Sequence, residues 1–302
     1  MHPMLSHAIT IPFIQLDISL GSSHFLPPLT ADEVHIWRSP LETSPTLLAQ
    51  LHAYLSEDEQ ARAARFRFDH HRHYFIVGRG ILRVLLGQYM HQHPQNIVFE
   101  YGDRGKPQLA DSTVRDQDFR SQGSQRTLGS GLEFNVSHSG GVALYAIALD
   151  RRVGIDLEKL RPMADAAQLA QRFFTEQEYQ QLLAQPTDQQ ELAFFRGWTR
   201  KEAYLKATGE GLGGLETVEV SLLEEQPSIL ETLADHNAAS TASLKVTSAN
   251  ANTAKTIRAK TVWFINDISM KTNHRAAVVI EAKDCKPNQL SKRFFELELP
   301  NS

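Results

Sequence analysis

The sequence predicts an α+β fold, because segments with helical periodicity are interspersed with short strand-like runs. Apolar residues recur at helical spacing in three segments, which are Leu47–Leu55, His71–His91 and Glu191–Thr208. Short apolar or alternating runs predict the strands. These runs are Val34–Trp37, Ile97–Gly102, Glu133–Val136, Val142–Leu149, the stretch that begins at Val153, and the pieces TVWFIND and AAVVIEA.

Local signals predict several helix boundaries. Ser56 with Glu59, and Thr175 with Glu178, have the spacing of a capping box at a helix N-terminus. Gly209 follows the last long helical segment, and a glycine in this position commonly ends a helix. We therefore expect one short helix after each capping box and a sharp end to the long helix.

Length and charge limit the class of protein. The chain has 302 residues, enough for one large domain or two smaller ones. A net charge of −4 argues against a general nucleic-acid-binding protein. No apolar run is long enough to span a bilayer, and Pro12 and Asp17 interrupt the mildly apolar segment near the N-terminus, so we expect no signal peptide. The single Cys285 cannot form an internal disulfide, which favours a reducing, cytoplasmic location.

Three stretches have no clear secondary-structure pattern. Residues 1–33 are expected to form a leader of uncertain structure. Residues 111–131 are polar and rich in Ser and Gly, and residues 234–256 are rich in Ala, Ser, Asn and Thr. Such compositions do not bury enough apolar surface to form a core, so we interpret both stretches as loop insertions.

Two carboxylates stand close together in VGIDLEKLRP, which begins at Val153. If this stretch is a strand, its branched apolar residues share one face, and Asp156 and Glu158 share the other, roughly 6–7 Å apart at Cα. Like charges this close repel and resist joint ionisation. An exposed edge strand would explain both simply as solvated residues. A third carboxylate brought near by folding would instead create a site for a hard cation such as Mg²⁺.

The helical stretch WTRKEAYLK offers that third carboxylate. Trp198, Glu202 and Lys206 are spaced four residues apart and therefore form one stripe along a helix. The simpler interpretation is a surface Glu–Lys pair beside a buried tryptophan. If Glu202 instead lies near the strand carboxylates, a bound cation would cancel their mutual repulsion.

The stretch FNVSHSG is interpreted as a strand followed by a turn that could hold an anion. Hydroxyl groups, backbone N–H groups and the imidazole of His138 are all suited to contact phosphate. The alternative is that Asn135 and Ser137 only satisfy the backbone of the turn. Arg104 and Lys106 follow on the loop YGDRGKPQL, where cations are also common without any function.

Four motifs, in this order, resemble the 4′-phosphopantetheinyl transferase superfamily: FNVSHSG, VGIDLE, FFTEQEY and FFRGWTRKEAYLKATGEGL. The resemblance covers about residues 34–282 and is to the larger, Sfp-like, pseudo-dimeric group. It implies two similar α/β halves, each a helix packed on a small, mainly antiparallel sheet. A pseudo-two-fold axis would relate the halves, with the active site in the cleft between them. The halves would be residues 34–151 and 152–298, the second of which would carry the metal site.

The resemblance also implies a reaction. The protein would be a Mg²⁺-dependent transferase of the holo-[acyl-carrier-protein] synthase type. It would move the 4′-phosphopantetheine arm of coenzyme A to a serine of an apo acyl or peptidyl carrier protein and release 3′,5′-ADP. Its partners would be carrier proteins and coenzyme A, without nucleic acid or membrane, and it would act as a cytoplasmic monomer. Fatty-acid, polyketide and nonribosomal-peptide carriers are not distinguished.

Roles for the acidic residues follow from the matched motifs. Asp156, Glu158 and Glu202 match the family's metal ligands. Glu202, or a water on the metal, is the candidate base for the carrier serine, and Asp156 is catalytic through the metal. Lys206, one turn beyond Glu202, would stabilise the pyrophosphate or the leaving group as a catalytic cation.

The resemblance also assigns residues to coenzyme A. Ser137 and His138 match residues that hold its phosphates, with His138 placed toward the 3′-phosphate. Glu59 departs from the pattern, because a close relative has lysine there, so the adenylate end is expected to be bound differently. The residues matched to coenzyme A binding are Arg62, Arg72, Arg79, Lys106, Ser137, His138 and Lys206.

Two alternatives from other classes remain open at this point. A degenerate relative would dock a carrier protein without transfer, although its three acidic ligands would then have no evident use. A Mg²⁺-dependent phosphohydrolase would use the same ligands with water as the nucleophile. The fate of the pantetheine arm distinguishes them, because it becomes protein-bound only in a transferase.

Overall fold

The computed structural model describes residues 14–17, 26–102, 104–110, 131–223, 228–233, 260–270, 272–283, 285–286 and 289–299. These residues form both helices and sheets, so the predicted α+β class is confirmed. The predicted insertion at 234–256 lies outside the described residues, as does all of the one at 111–131 except Gly131.

The helices and strands are numbered along the chain. Among the described residues the helices are α1 (Pro45–Tyr54), α2 (Glu57–Ala64), α3 (Asp69–Met90), α4 (Ala166–Phe173), α5 (Glu176–Leu183) and α6 (Thr187–Thr208). The strands are β1 (Ile14–Asp17), β2 (Glu33–Pro40), β3 (Phe99–Tyr101), β4 (Pro107–Leu109), β5 (Leu132–Ser139), β6 (Val142–Leu149), β7 (Val153–Lys159), β8 (Ser228–Leu233), β9 (Lys260–Ile268), β10 (His274–Glu281) and β11 (Ser291–Glu298). None of these helices is both long and apolar enough to cross a membrane.

Both predicted capping boxes are present at the helix N-termini. The backbone N–H of Ser56 donates to Glu59 Oε2 at 3.1 Å, and that of Thr175 donates to Glu178 Oε2 at 2.8 Å. These contacts satisfy N–H groups that have no partner within the helix. Helix α6 ends at Gly209, whose φ of 80° lies in the left-handed region that glycine adopts without strain.

The strands form two main sheets and a hairpin. The first sheet has the order β1-β11-β2-β6-β5, and the second has the order β7-β10-β9-β8. Strands β3 and β4 pair separately as an antiparallel hairpin. Strands β5 and β7 are thus edge strands of different sheets.

Alternation along the strands gives each sheet two apolar faces. In β2, Trp37 packs with helices α1–α3, whereas Val34 and Ile36 face the second sheet. In β7, Ile155 and Leu157 meet that same intersheet cluster, as the sequence pattern predicted. Helices α4–α6 cover the opposite face of the second sheet. The layers therefore follow the order helix, sheet, sheet, helix, with the two sheets at the centre.

Strand β11 is the main departure from the expected division of the chain. Residues up to 298 were expected in the second half, yet β11 pairs in parallel with β2 in the first sheet. Phe295 lies opposite Trp37, and their rings stack at a centroid distance of 4.3 Å. This pairing joins residues far apart in sequence, and no local pattern indicates it.

The expected turn at Ser137 and His138 is also wrong in detail. Both residues lie within β5, which continues to Ser139. The turn is instead made by Gly140 and Gly141, whose φ values are 58° and 81°. Glycine adopts these angles without the steric penalty of a side chain. Ser137 and His138 therefore point to opposite sides of a strand.

Candidate active site

The two edge strands β5 and β7 meet along a seam that is bridged by side chains. Side chains of alternate β5 residues accept hydrogen bonds from backbone N–H groups of β7. These N–H groups lie on the edge of β7 that is not paired with β10. The pairs are Asn135 Oδ1 with Ile155 N, Ser137 Oγ with Leu157 N and Ser139 Oγ with Lys159 N, at 2.9, 3.2 and 3.0 Å. The seam satisfies an edge that would otherwise carry unpaired donors.

Helix α6 approaches the other face of β7 very closely at Gly154. A Cβ added to Gly154 would lie 2.0 Å from the carbonyl oxygen of Ala203 and 2.4 Å from the backbone nitrogen of Ala207. Only glycine permits this contact. The close approach brings Glu202 and Lys206, which flank Ala203, beside the carboxylate face of β7.

Asp156 is the buried centre of the site, with 3% of its surface exposed. Its Oδ1 accepts hydrogen bonds from Ser137 Oγ at 3.0 Å and from the Lys206 ammonium at 2.5 Å. Its Oδ2 is buried and has no hydrogen-bond partner within the described residues. A buried carboxylate oxygen without a partner is costly, which marks Oδ2 as an atom available to a cation.

Glu158 and Glu202 are half-buried and interact electrostatically with Asp156. Burial raises the pKa of Glu158, and the nearby Asp156 carboxylate raises it further. Burial also raises the pKa of Glu202 to about 7; Lys206 opposes this rise, whereas Asp156 and Glu158 add to it. Three carboxylates therefore share one partly desolvated region.

The carboxylate oxygens of these three residues suit a hard cation, but their side chains do not form a complete coordination site. No group of three or more His, Cys, Asp or Glu side chains in the described ranges is arranged to hold a metal ion. The Lys206 ammonium, instead, neutralises Asp156. The carboxylate oxygens are nevertheless the ligands that Mg²⁺ prefers, and the unpartnered Oδ2 of Asp156 is consistent with such a ligand.

Two of the predicted phosphate contacts lie near this group. His138 is exposed, and its pKa is lowered, first by partial desolvation of the ring and then by the Lys206 ammonium and His71. Lys106 donates to the carbonyl oxygen of Ala207 at 3.3 Å, in the last turn of α6. Desolvation lowers the pKa of Lys106. Both side chains therefore border the group that contains Lys206.

The three arginines predicted to bind coenzyme A contact residues of helices α2 and α3. The guanidinium of Arg62 is exposed and lies 5.2 Å from the ring centroid of Phe75. Arg72 pairs with Asp69, one turn away on the same helix. Arg79 Nε lies 3.4 Å from Glu59 Oε1. No contact described for these three arginines joins them to the carboxylates of β7 and α6.

Glu59 is a buried structural residue. Only 1% of its surface is exposed, and Arg83 Nε donates to its Oε2 at 2.6 Å. Its other oxygen faces Arg79, and it also closes the capping box of α2. The carboxylate therefore ties α2 to α3, which gives a physical reason for an acid at this departure from the family pattern.

Comparisons with known proteins match two family models and several named relatives. The model of the 4′-phosphopantetheinyl transferase superfamily matches residues 152–258, and that of the 4′-phosphopantetheinyl transferase N-terminal region matches residues 39–149. The 4′-phosphopantetheinyl transferase HetI of Nostoc sp. is 48% identical over 204 residues, which are 68% of this chain and 80% of HetI. The chain belongs to the 4′-phosphopantetheinyl transferase superfamily.

More distant relatives carry the same name. The 4′-phosphopantetheinyl transferase psf-1 of Bacillus pumilus is 35% identical over 192 residues, 63% of this chain and 73% of psf-1. The 4′-phosphopantetheinyl transferase Sfp of Bacillus subtilis is 28% identical over 160 residues, 53% of this chain and 62% of Sfp. The predicted family and enzyme class are confirmed: this protein is a phosphopantetheinyl transferase.

Two features of this transferase site were missed from the sequence. Ser139 donates to Glu158 Oε2 at 3.3 Å, and Gly154 lets α6 reach β7. The alternating patterns N-x-S-x-S in β5 and G-x-D-x-E in β7 are the signal that could have indicated such a match. Lys201, within the same helical motif, is buried and bonds Glu178 and the carbonyl oxygen of Val218, so it ties α6 to α5 and to the segment at Val218.

Proposed function

We propose that this phosphopantetheinyl transferase moves the 4′-phosphopantetheine arm of coenzyme A to the serine hydroxyl of an apo acyl or peptidyl carrier protein in a Mg²⁺-dependent reaction. The serine oxygen attacks the pantetheine-side phosphorus of the pyrophosphate. One phosphorus–oxygen bond forms, the bridging phosphorus–oxygen bond breaks, and 3′,5′-ADP leaves. The serine proton passes to a base on the enzyme.

The observation that carries this proposal is the group of three carboxylates beside one ammonium in a partly desolvated seam. Asp156, Glu158 and Glu202 would hold Mg²⁺, and the unpartnered Oδ2 of Asp156 supports the first of these assignments. When bound, Mg²⁺ supplies charge neutralisation at the pyrophosphate. The Lys206 ammonium contacts Asp156 and would balance negative charge that develops on the leaving group.

Glu202 is the proposed proton acceptor. Without a cation, burial and its acidic neighbours raise its pKa to about 7. Bound Mg²⁺ would lower this pKa, so a water on the metal is the alternative acceptor. The position of Glu202 on α6, one turn before Lys206, places base and cation on one helix face. His138 and Lys106 are proposed phosphate contacts because they border this group. Proposals for Arg62, Arg72 and Arg79 rest on the family motif alone.

The test is the intact mass of apo carrier proteins after incubation with the enzyme, coenzyme A and Mg²⁺. We expect a mass gain equal to one phosphopantetheine arm, and a Glu202→Gln variant should transfer it about 10²–10⁴-fold more slowly. Glu191→Gln, which changes an exposed acid on the same helix, is the matched control and should keep the wild-type rate. Cleavage of coenzyme A without a mass gain on any carrier would overturn the proposal.

A further inference from the structure

We propose that Ser137 and Ser139 are positioning residues, each of which orients one carboxylate of the transferase site through a hydrogen bond. This inference rests on the proposed function, because it concerns how Asp156 and Glu158 are presented to a cation. It replaces the expected phosphate contact of Ser137 with a different role. The argument comes from a hydrogen-bond pattern that repeats along the seam between β5 and β7.

The first unit of the pattern involves Ser137. Its hydroxyl donates to Asp156 Oδ1 at 3.0 Å and accepts the backbone N–H of Leu157 at 3.2 Å. It also accepts from the Lys206 ammonium at 3.1 Å. A serine hydroxyl has one donor and two acceptor positions, so these three bonds use all of them. In this arrangement Ser137, with 7% of its surface exposed, has no capacity left for a phosphate.

The second unit repeats the geometry two residues further along both strands. The hydroxyl of Ser139 donates to Glu158 Oε2 at 3.3 Å and accepts the backbone N–H of Lys159 at 3.0 Å. Each serine thus bonds a carboxylate and the N–H of the residue that follows it. Because β-strands place alternate residues on one side, the two serines and the two carboxylates keep the same register.

Asn135 shows what the seam looks like without a carboxylate. Its Oδ1 accepts the N–H of Ile155 at 2.9 Å. The preceding residue on β7 is Gly154, so Asn135 has no carboxylate to orient. Asn135 therefore contributes to the seam alone, whereas Ser137 and Ser139 contribute to the seam and to the site. The chain itself provides a matched control for the positioning role.

The consequence concerns which oxygen of Asp156 meets a cation. Ser137 and Lys206 both occupy Oδ1, and Oδ2 has no partner among the described residues. Ser137 thereby fixes the rotation of the carboxylate with Oδ2 free. Groups that orient metal ligands in this way typically contribute 10–100-fold to metal affinity or activity.

The experiment compares Ser137→Ala, Ser139→Ala and Asn135→Ala, each of which leaves one β7 N–H without its acceptor. In the full-length enzyme we expect the two serine variants to lower kcat about 10–100-fold, with the KM for coenzyme A within about threefold. Asn135→Ala should lose a similar amount of thermal stability and keep kcat. Ser137→Thr, which keeps a hydroxyl, should restore most of the activity.

Binding measurements make the result independent of turnover. By electron paramagnetic resonance, Mn²⁺ alone should bind at least about tenfold more weakly to Ser137→Ala than to Asn135→Ala, while 3′,5′-ADP without metal should bind both equally. Weaker 3′,5′-ADP binding with unchanged Mn²⁺ binding would overturn the proposal in favour of a phosphate contact. Equal losses of Mn²⁺ binding in all three variants would also overturn the proposal. They would show that the serines only join β5 to β7 and do not orient the carboxylates. If the wild type transfers nothing to any carrier, the proposed function fails, and the Mn²⁺ comparison still decides the positioning role.

Discussion

His35 is a buried histidine whose surroundings keep it neutral. The oxygen of Tyr89 accepts the indole N–H of Trp37 at 2.9 Å, and it lies 2.6 Å from His35 Nδ1. Tyr89 and Nδ1 therefore share one hydrogen bond, whose donor depends on the tautomer of the neutral ring. Burial lowers the pKa of His35 to about 4, although Glu33 opposes this shift. The folded enzyme thus resists a proton that the unfolded chain readily accepts.

This difference predicts a loss of stability in mild acid. Between the unfolded pKa near 6.5 and the folded value of about 4, the unfolded state binds more protons, so the free energy of unfolding falls as pH falls. The full effect is about 3 kcal/mol. Urea unfolding of the wild type and of His35→Asn at several pH values measures it. The wild type should lose more stability than the variant from pH 7 to 4, and parallel pH curves would contradict the prediction.

At the scale of elements, the contact between α6 and β7 decides whether the site is assembled. Gly154→Ala would place a Cβ against the backbone of α6 at Ala203, and the helix would have to move away. We expect a loss of about 1–3 kcal/mol in stability and a fall in transfer well beyond what the stability loss explains, because Glu202 and Lys206 move with the helix.

Gly213→Ala is the control for this substitution. A Cβ added to Gly213 meets nothing within 4 Å, so stability and transfer should both remain near wild type. Denaturant unfolding and carrier-protein mass measurements follow the two variants side by side. A Gly154→Ala enzyme with normal turnover would show that α6 does not need this close approach.

The elements also show how far sequence reasoning reaches. The capping boxes and the alternation of β7 were predicted correctly, because both depend on residues within a few positions of one another. Strand β11 was missed, since its pairing with β2 depends on a distant part of the chain. The carboxylate cluster was predicted through the family motif, whereas the role of Ser139 depends on two edge strands meeting side by side, which no single stretch of sequence shows.

At the scale of the whole molecule, β11 ties residues 291–298 to the first sheet. It lies between β1 and β2, and Phe295 packs against both Trp37 and His35. A chain that stops at residue 290 would lose these pairings and leave one edge of β2 unpaired. We expect its first sheet to lose cooperative unfolding, as measured by circular dichroism and limited proteolysis. A chain that stops at residue 299 is the control, and an unchanged urea midpoint in the shorter chain would contradict the prediction.

The same strand has a consequence for how the enzyme forms during synthesis. Arg38 of β2 and Glu296 of β11 are in contact although they are 258 positions apart. Contacts at such sequence separation slow folding, because a long loop must close before they form. The nascent first half therefore emerges with β2 unpaired on one side, a template for unwanted pairing with other chains. We expect completion of this sheet to be a late step in folding, after most of the polypeptide has left the ribosome.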